Sequence, residues 1–123
     1  MAVLIKNGIV VTADNEFKAD VYVDGESIKA IGENLHAAEG DEIIDAEGKY
    51  ILPGGVDQHV HFSFTYKGSK VRGFETYNAA AVGGTTTLIE FVNQEEGKGL
   101  VETIEDYRKT DADGIAMVDY SFH

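Results

Sequence analysis

The 123-residue sequence contains no cysteine. Disulfide bridges and thiolate metal ligands are therefore excluded, and any bound metal must be held by imidazole, carboxylate or a modified side chain. Basic residues are also scarce: 10 lysines and arginines stand against 22 acids, for a formal net charge of -12. Such a balance repels nucleic acid and anionic membranes and leaves no polybasic patch, so neither partner is expected. Long apolar runs are missing too. The opening Met1-Ala2-Val3-Leu4-Ile5-Lys6 is too short for a signal peptide or a membrane span, which makes a cytoplasmic location the expectation. What is present suffices for a core, since 43% of the residues are hydrophobic and the length is that of one ordinary domain.

The one proline, Pro53, marks a change of pattern. Before it, short apolar runs at residues 3–5, 9–11, 21–23, 28–31, 43–44 and 50–52 read as β-strands separated by turns. Asn7-Gly8 and Asp24-Gly25 accept positive φ and predict tight hairpins between antiparallel strands, giving a small sheet or half-sandwich over residues 1–53. Residues 32–41 are polar and predict a solvated loop, with His36 exposed in it. After Pro53, strands and helices alternate. Residues 56–61 predict a strand and residues 62–72 a loop. A helix follows from Gly73 with Phe74, Tyr77 and Ala81 on one stripe, ended by Gly83-Gly84. Residues 85–92 predict a strand buried on both faces. Gly97 to Gly99 opens a second helix, with Leu100, Val101, Ile104 and Tyr107 as its apolar stripe. Residues 111–114 predict a turn and residues 115–122 a third buried strand. The order β, α, β, α, β implies a parallel sheet over residues 54–123.

The chemistry is concentrated in Gly54-Gly55-Val56-Asp57-Gln58-His59-Val60-His61. On an extended strand, Asp57, His59 and His61 share one face while Val56 and Val60 take the other. Two imidazoles then converge on one point, and neutral imidazole is a preferred ligand of zinc and related metals. A His-x-His pair on an exposed edge can equally be solvated. Here it follows a chain break and precedes a loop and a helix, which puts it near the carboxyl end of a strand in a βα unit, where parallel α/β barrels build their active sites. Asp57 is a candidate supporting partner for these histidines, or a structural hydrogen bond at the strand's start. Glu90 lies in an apolar strand, so it is either buried with a partner or faces an opening. Ser121 has no base nearby in sequence, and His123 reads as structural.

Four segments carry a resemblance: Leu4-Ile5-Lys6-Asn7-Gly8, Pro53-Gly54-Gly55-Val56-Asp57-Gln58-His59-Val60-His61-Phe62, Ala79-Ala80-Ala81-Val82-Gly83-Gly84-Thr85-Thr86-Thr87 and Asp119-Tyr120-Ser121-Phe122-His123. Together they resemble the start of the amidohydrolase superfamily, in its cyclic amidohydrolase branch of hydantoinases and dihydropyrimidinases. The resemblance implies an α/β fold with a small β domain: residues 1–53 as part of a β-sandwich, and residues 54–123 as the first βαβαβ units of a metal-dependent (β/α)8 barrel. A barrel of that kind takes about 250 residues, so the chain is expected to be truncated. The resemblance also implies that His59 and His61 are the first-strand ligands of a two-zinc centre. A carboxylated lysine, two further histidines and an aspartate would come from later strands, so no catalytic residue is expected within these 123 residues. In such enzymes a hydroxide bridging the metals attacks the ring amide carbonyl of a cyclic amide or ureide.

Dihydroorotases and allantoinases differ in the loop after the second histidine. Phe62-Ser63-Phe64-Thr65-Tyr66 is similar to the hydantoinase loop that walls the substrate pocket, which makes Phe64 and Tyr66 substrate-loop candidates. Packing the loop down is the alternative role for these two aromatics. The neuronal scaffold relatives lack the His-x-His. Two functions are expected: the N-terminal part of a cyclic-amide hydrolase, inactive alone, or a truncated binding or assembly module of the same ancestry. Uncovered sheet edges and apolar faces favour a homo-oligomer in either case.

Overall fold

The computed structural model describes residues 1–61, 63–71, 73 and 77–123; Phe62, Arg72 and Phe74 of the expected loop and helix lie outside them. The chain divides into two compact units, Met1–Pro53 and Gly54–His123.

The first unit is a mixed sheet. Its strands are β1 (Ala2–Val11), β2 (Glu16–Asp24), β3 (Ser27–Gly32), β4 (Glu42–Asp45) and β5 (Tyr50–Ile51), in the order β3-β2-β1-β4 with β5 also paired to β1. Two expectations need correction. Asn7-Gly8 is not a hairpin turn: β1 runs straight through it, and the positive φ of Asn7, 61°, is used in a bulge where β1 slips register against β2. The bulge persists because its backbone groups find partners other than the β1–β2 ladder. The Asp20 carboxylate accepts the Asn7 N–H, and the Lys6 carbonyl accepts the Ala46 N–H. The chain turns instead at residues 12–15, where the Thr12 hydroxyl accepts the N–H groups of Asp14 and Asn15. Asp24-Gly25 does form the β2–β3 turn, with Gly25 at φ 58°.

The second correction concerns direction. β4 and β5 both pair with β1 in parallel, so the sheet is not a plain antiparallel meander. Residues 33–41 supply the crossover that a parallel partner requires. That loop is tied down by the Leu35 N–H donating to Asp20 and the Ala38 N–H donating to Asp41. Val10, Ala19 and Val21 form the buried core here, with Ile5, Val23 and Ile51 packed against them.

The second unit is a three-stranded parallel sheet in the order β10-β9-β6, formed by β6 (Gly55–Val60), β9 (Thr85–Glu90) and β10 (Asp119–Phe122). Between β6 and β9 lie a short hairpin, β7 (Phe64–Tyr66) with β8 (Ser69–Val71), and helix α1 (Tyr77–Val82). The hairpin corrects the expected plain loop. Its signal is Lys67-Gly68, whose φ values of 48° and 78° make a tight turn of the kind that joins twisted strands. Helix α1 ends at Gly83-Gly84, where Gly84 takes φ 90° and donates its N–H to the Ala81 carbonyl.

Helix α2 (Leu100–Tyr107) passes directly into a π-helical turn, Arg108–Ala112. The expected turn over residues 111–114 therefore begins only at Asp113, with Gly114 at φ 73°, and Asp111 and Ala112 are both buried in the π turn. The expected apolar stripe is only partly the buried face, since Tyr107 packs on the core while the first turn does not. Leu100 and Val101 are 62% and 76% exposed, and the helix buries Thr103, with half-buried Tyr107 and then Ala112 packed on Leu88. The third strand is shorter than expected, since residues 115–118 pack as an irregular segment before β10.

Candidate functional site

β6 delivers His59 within the strand and His61 just past its end, at the carboxyl edge of the parallel sheet. β6 and β9 slip register between Asp57 and Val60, so the strand is bulged where the histidines leave it. Their Nε2 atoms stand 3.3 Å apart and the ring centroids 5.0 Å apart. Two nitrogens bound to one tetrahedral zinc at 2.0–2.1 Å would stand roughly 3.3 Å apart, so the pair as placed fits two corners of such a site. Among the described residues no group of three or more His, Asp or Glu side chains is arranged to hold a metal ion, so the other corners would come from elsewhere. Among the described residues Asp57 makes no hydrogen bond to either ring; its Oδ1 accepts the His59 backbone N–H at 3.2 Å.

The carboxyl ends of the two neighbouring strands complete the surroundings. Phe91, one residue past β9, stacks near both histidines at 5.3 and 5.5 Å. The His123 ring, just past β10, stands edge-on to His59 at 4.9 Å, with its backbone N–H donating to the Glu90 carbonyl. Sequence spacing gave no sign of this, because residues 59 and 123 meet only once β6 and β10 flank β9.

Beside His61 lies an open cleft of about 800 Å³. Its lining includes Ser63, Phe64 and Lys70 from the hairpin side and Asn93, Lys98 and Tyr107 from the β9–α2 side. Phe64 therefore faces this cleft, whereas Tyr66 is 60% exposed, is not part of the lining, and packs under the Lys67 ammonium at 5.2 Å. Lys98 is held by Glu95 at 2.8 Å and Asp106 at 2.9 Å, and these two acids push its pKa up. Glu90 is fully buried, and the Tyr107 hydroxyl reaches its Oε1 at 3.0 Å and the Ser63 carbonyl at 3.2 Å. Burial, and then the Glu90 charge, raises the Tyr107 pKa, so this phenol is neutral and works as a hydrogen-bond donor.

No family model matches the chain. It is similar over 123 residues to a dihydropyrimidinase of Dictyostelium discoideum, at 43% identity, covering 98% of this chain and 24% of that protein. Over 125 residues it is similar to a D-hydantoinase of Geobacillus stearothermophilus, at 42% identity, covering all of this chain and 26% of that protein. Among solved structures it is similar to a D-hydantoinase (dihydropyrimidinase) from Thermus sp., with a TM-score of 0.89 and 43% identity over 98% of this chain and 27% of that one. The chain thus spans about a quarter of the length of the proteins it matches. No helix among the described residues is long and apolar enough to cross a membrane.

Proposed function

Because the chain belongs to the hydantoinase and dihydropyrimidinase family, we propose that it is the N-terminal part of a metal-dependent hydrolase that opens hydantoin or dihydropyrimidine rings to N-carbamoyl amino acids. The observation that carries this reading is the 3.3 Å separation of the His59 and His61 Nε2 atoms at the carboxyl end of a parallel sheet. In this reading residues 1–53 are part of a β-sandwich and residues 54–123 are the opening βαβαβ segment of a (β/α)8 barrel. His59 and His61 hold one metal of a two-zinc centre whose remaining ligands lie outside these 123 residues. When bound, such metals polarise the ring carbonyl and lower the pKa of water, supplying the nucleophile for amide cleavage.

The chain's own residues then have positioning roles. Asp57 fixes the His59 backbone and so the direction in which that ring leaves the bulged strand. Phe64 presents an apolar wall to the ring substituent of a cyclic amide or ureide, with Tyr66 further out on the same hairpin. The compartment in this reading is the cytoplasm, and the net charge of -12 argues against nucleic acid and anionic membrane as partners.

A second reading rests on exposed apolar side chains in each unit, Ile28, Ile43 and Leu52 in the first and Val56, Val101 and Met117 in the second. In that reading the 123 residues act as a non-catalytic assembly module and self-associate into a homo-oligomer through these faces. Calorimetric titration of the chain with zinc, beside a ring-opening assay on hydantoin and dihydrouracil, separates the two. The hydrolase reading expects weak zinc binding that depends on His59 and His61, without turnover. Zinc binding indifferent to both histidines overturns it, and turnover by the isolated chain overturns the ligand count.

A further inference from the structure

The β7–β8 hairpin pairs with neither larger sheet, and each of its strands has three residues. A two-stranded ribbon of that length does not hold itself in place in water. Its tip and outer strand are exposed, so apolar burial does not hold it either. Among the described residues, the α2–π helix makes polar contacts to the hairpin at two places. The Lys70 ammonium binds both carboxylate oxygens of Asp111, at 2.7 and 3.0 Å, and Asp111 is only 6% exposed. At the hairpin's base the Tyr107 hydroxyl donates to the Ser63 carbonyl, and the Ser63 hydroxyl accepts the Gly73 N–H at 3.3 Å. Tyr107 and Asp111 are four residues apart, one on the last turn of α2 and the other inside the π turn. The Thr110 hydroxyl donates to the same Asp111 carboxylate at 2.6 Å and fixes its direction.

We propose that Asp111 is a positioning residue: through Lys70 it latches the β7–β8 hairpin against the π-helical turn and so sets where Phe64 stands beside His61. That Phe64 thereby stands beside a reacting centre rests on the hydrolase reading above; the latch itself does not. A carboxylate this buried is costly unless paired, so its retention at a point where the hairpin meets the helix favours register over stability as its use.

The test is ¹⁵N relaxation on the 123-residue chain in metal-free buffer. Wild-type amides of residues 64–71 are expected to match those of β9, with order parameters near 0.85. Lys70→Met and Asp111→Asn each lower the hairpin values below about 0.6 and leave β9 and β10 unchanged, whereas Lys70→Arg, which keeps the cation, stays at wild type. Lys70 is half-exposed, so its variants report even where Asp111→Asn does not fold. Unchanged hairpin order in Lys70→Met overturns the latch. Equal loss of order in the hairpin and β9 overturns it as well, since that marks general destabilisation. Zinc takes no part, so the result stands apart from the metal titration.

Discussion

Asp20 accepts the backbone N–H of Asn7 at 2.9 Å, at the point where β1 slips its register against β2. The other oxygen of the same buried carboxylate accepts the Leu35 N–H at 3.0 Å, so one side chain holds both the bulge and the crossover loop. Asp20→Ala leaves two N–H groups without this acceptor and is expected to cost about 3 kcal/mol, with Asp20→Asn costing less. Urea denaturation followed by far-ultraviolet circular dichroism measures the difference, and an unchanged midpoint for Asp20→Ala contradicts this role.

His59→Asn and His61→Asn are each expected to weaken zinc binding at least tenfold in calorimetric titration, because each removes one of only two imidazole ligands. His36→Asn serves as the control. That residue is exposed in the loop between β3 and β4, and its replacement leaves the titration as in wild type.

Gly54 is required by close approach. A Cβ there would stand 2.7 Å from the Thr86 Cβ and closer still to its Oγ1 and Cγ2. Gly54→Ala is expected to destabilise the second unit by about 1–3 kcal/mol through overpacking between the start of β6 and β9. Adding Thr86→Gly should relieve the clash, so a double-mutant cycle in urea reads a favourable coupling between the two changes.

The Tyr22 hydroxyl donates to Asp41 at 2.7 Å, and this bond, followed by the Ala38 N–H, lowers the Asp41 pKa from its usual 3.8. A lowered carboxylate pKa gives stability that is complete above pH 3.8 and is lost as the pH falls through the lower folded value. Asp41→Asn is therefore expected to be less stable than wild type at pH 7, with the gap closing as the pH falls below 3.8. Urea midpoints taken from pH 2 to 7 follow it; a gap that stays constant across that range refutes the linkage.

Local signals carried far in this chain, up to the places where distant segments intervene. The three parallel strands of the second unit, the two helices and the glycine pair at 83–84 follow from apolar period and helix stop signals, which act over a few residues. The His59–His61 pairing was likewise legible, since two side chains on one strand need only the strand. Asn7-Gly8 misled because positive φ is shared by hairpins and bulges, and only Asp20 and Ala46, more than ten residues away, decide which forms. The parallel placement of β4 and β5 left no local mark. The π turn and the Lys70–Asp111 pair were illegible for the same reason, because 41 residues separate the two charges.

The parallel seating of β4 and β5 on β1 orders events during synthesis. The antiparallel trio β1–β2–β3 has all its residues once Gly32 is made, but one edge of β1 stays bare until Asp45 and then Ile51 follow. At 5–20 residues per second that edge is open for roughly one to four seconds. During that interval β1 offers an unpaired edge that a strand of a neighbouring nascent chain could occupy.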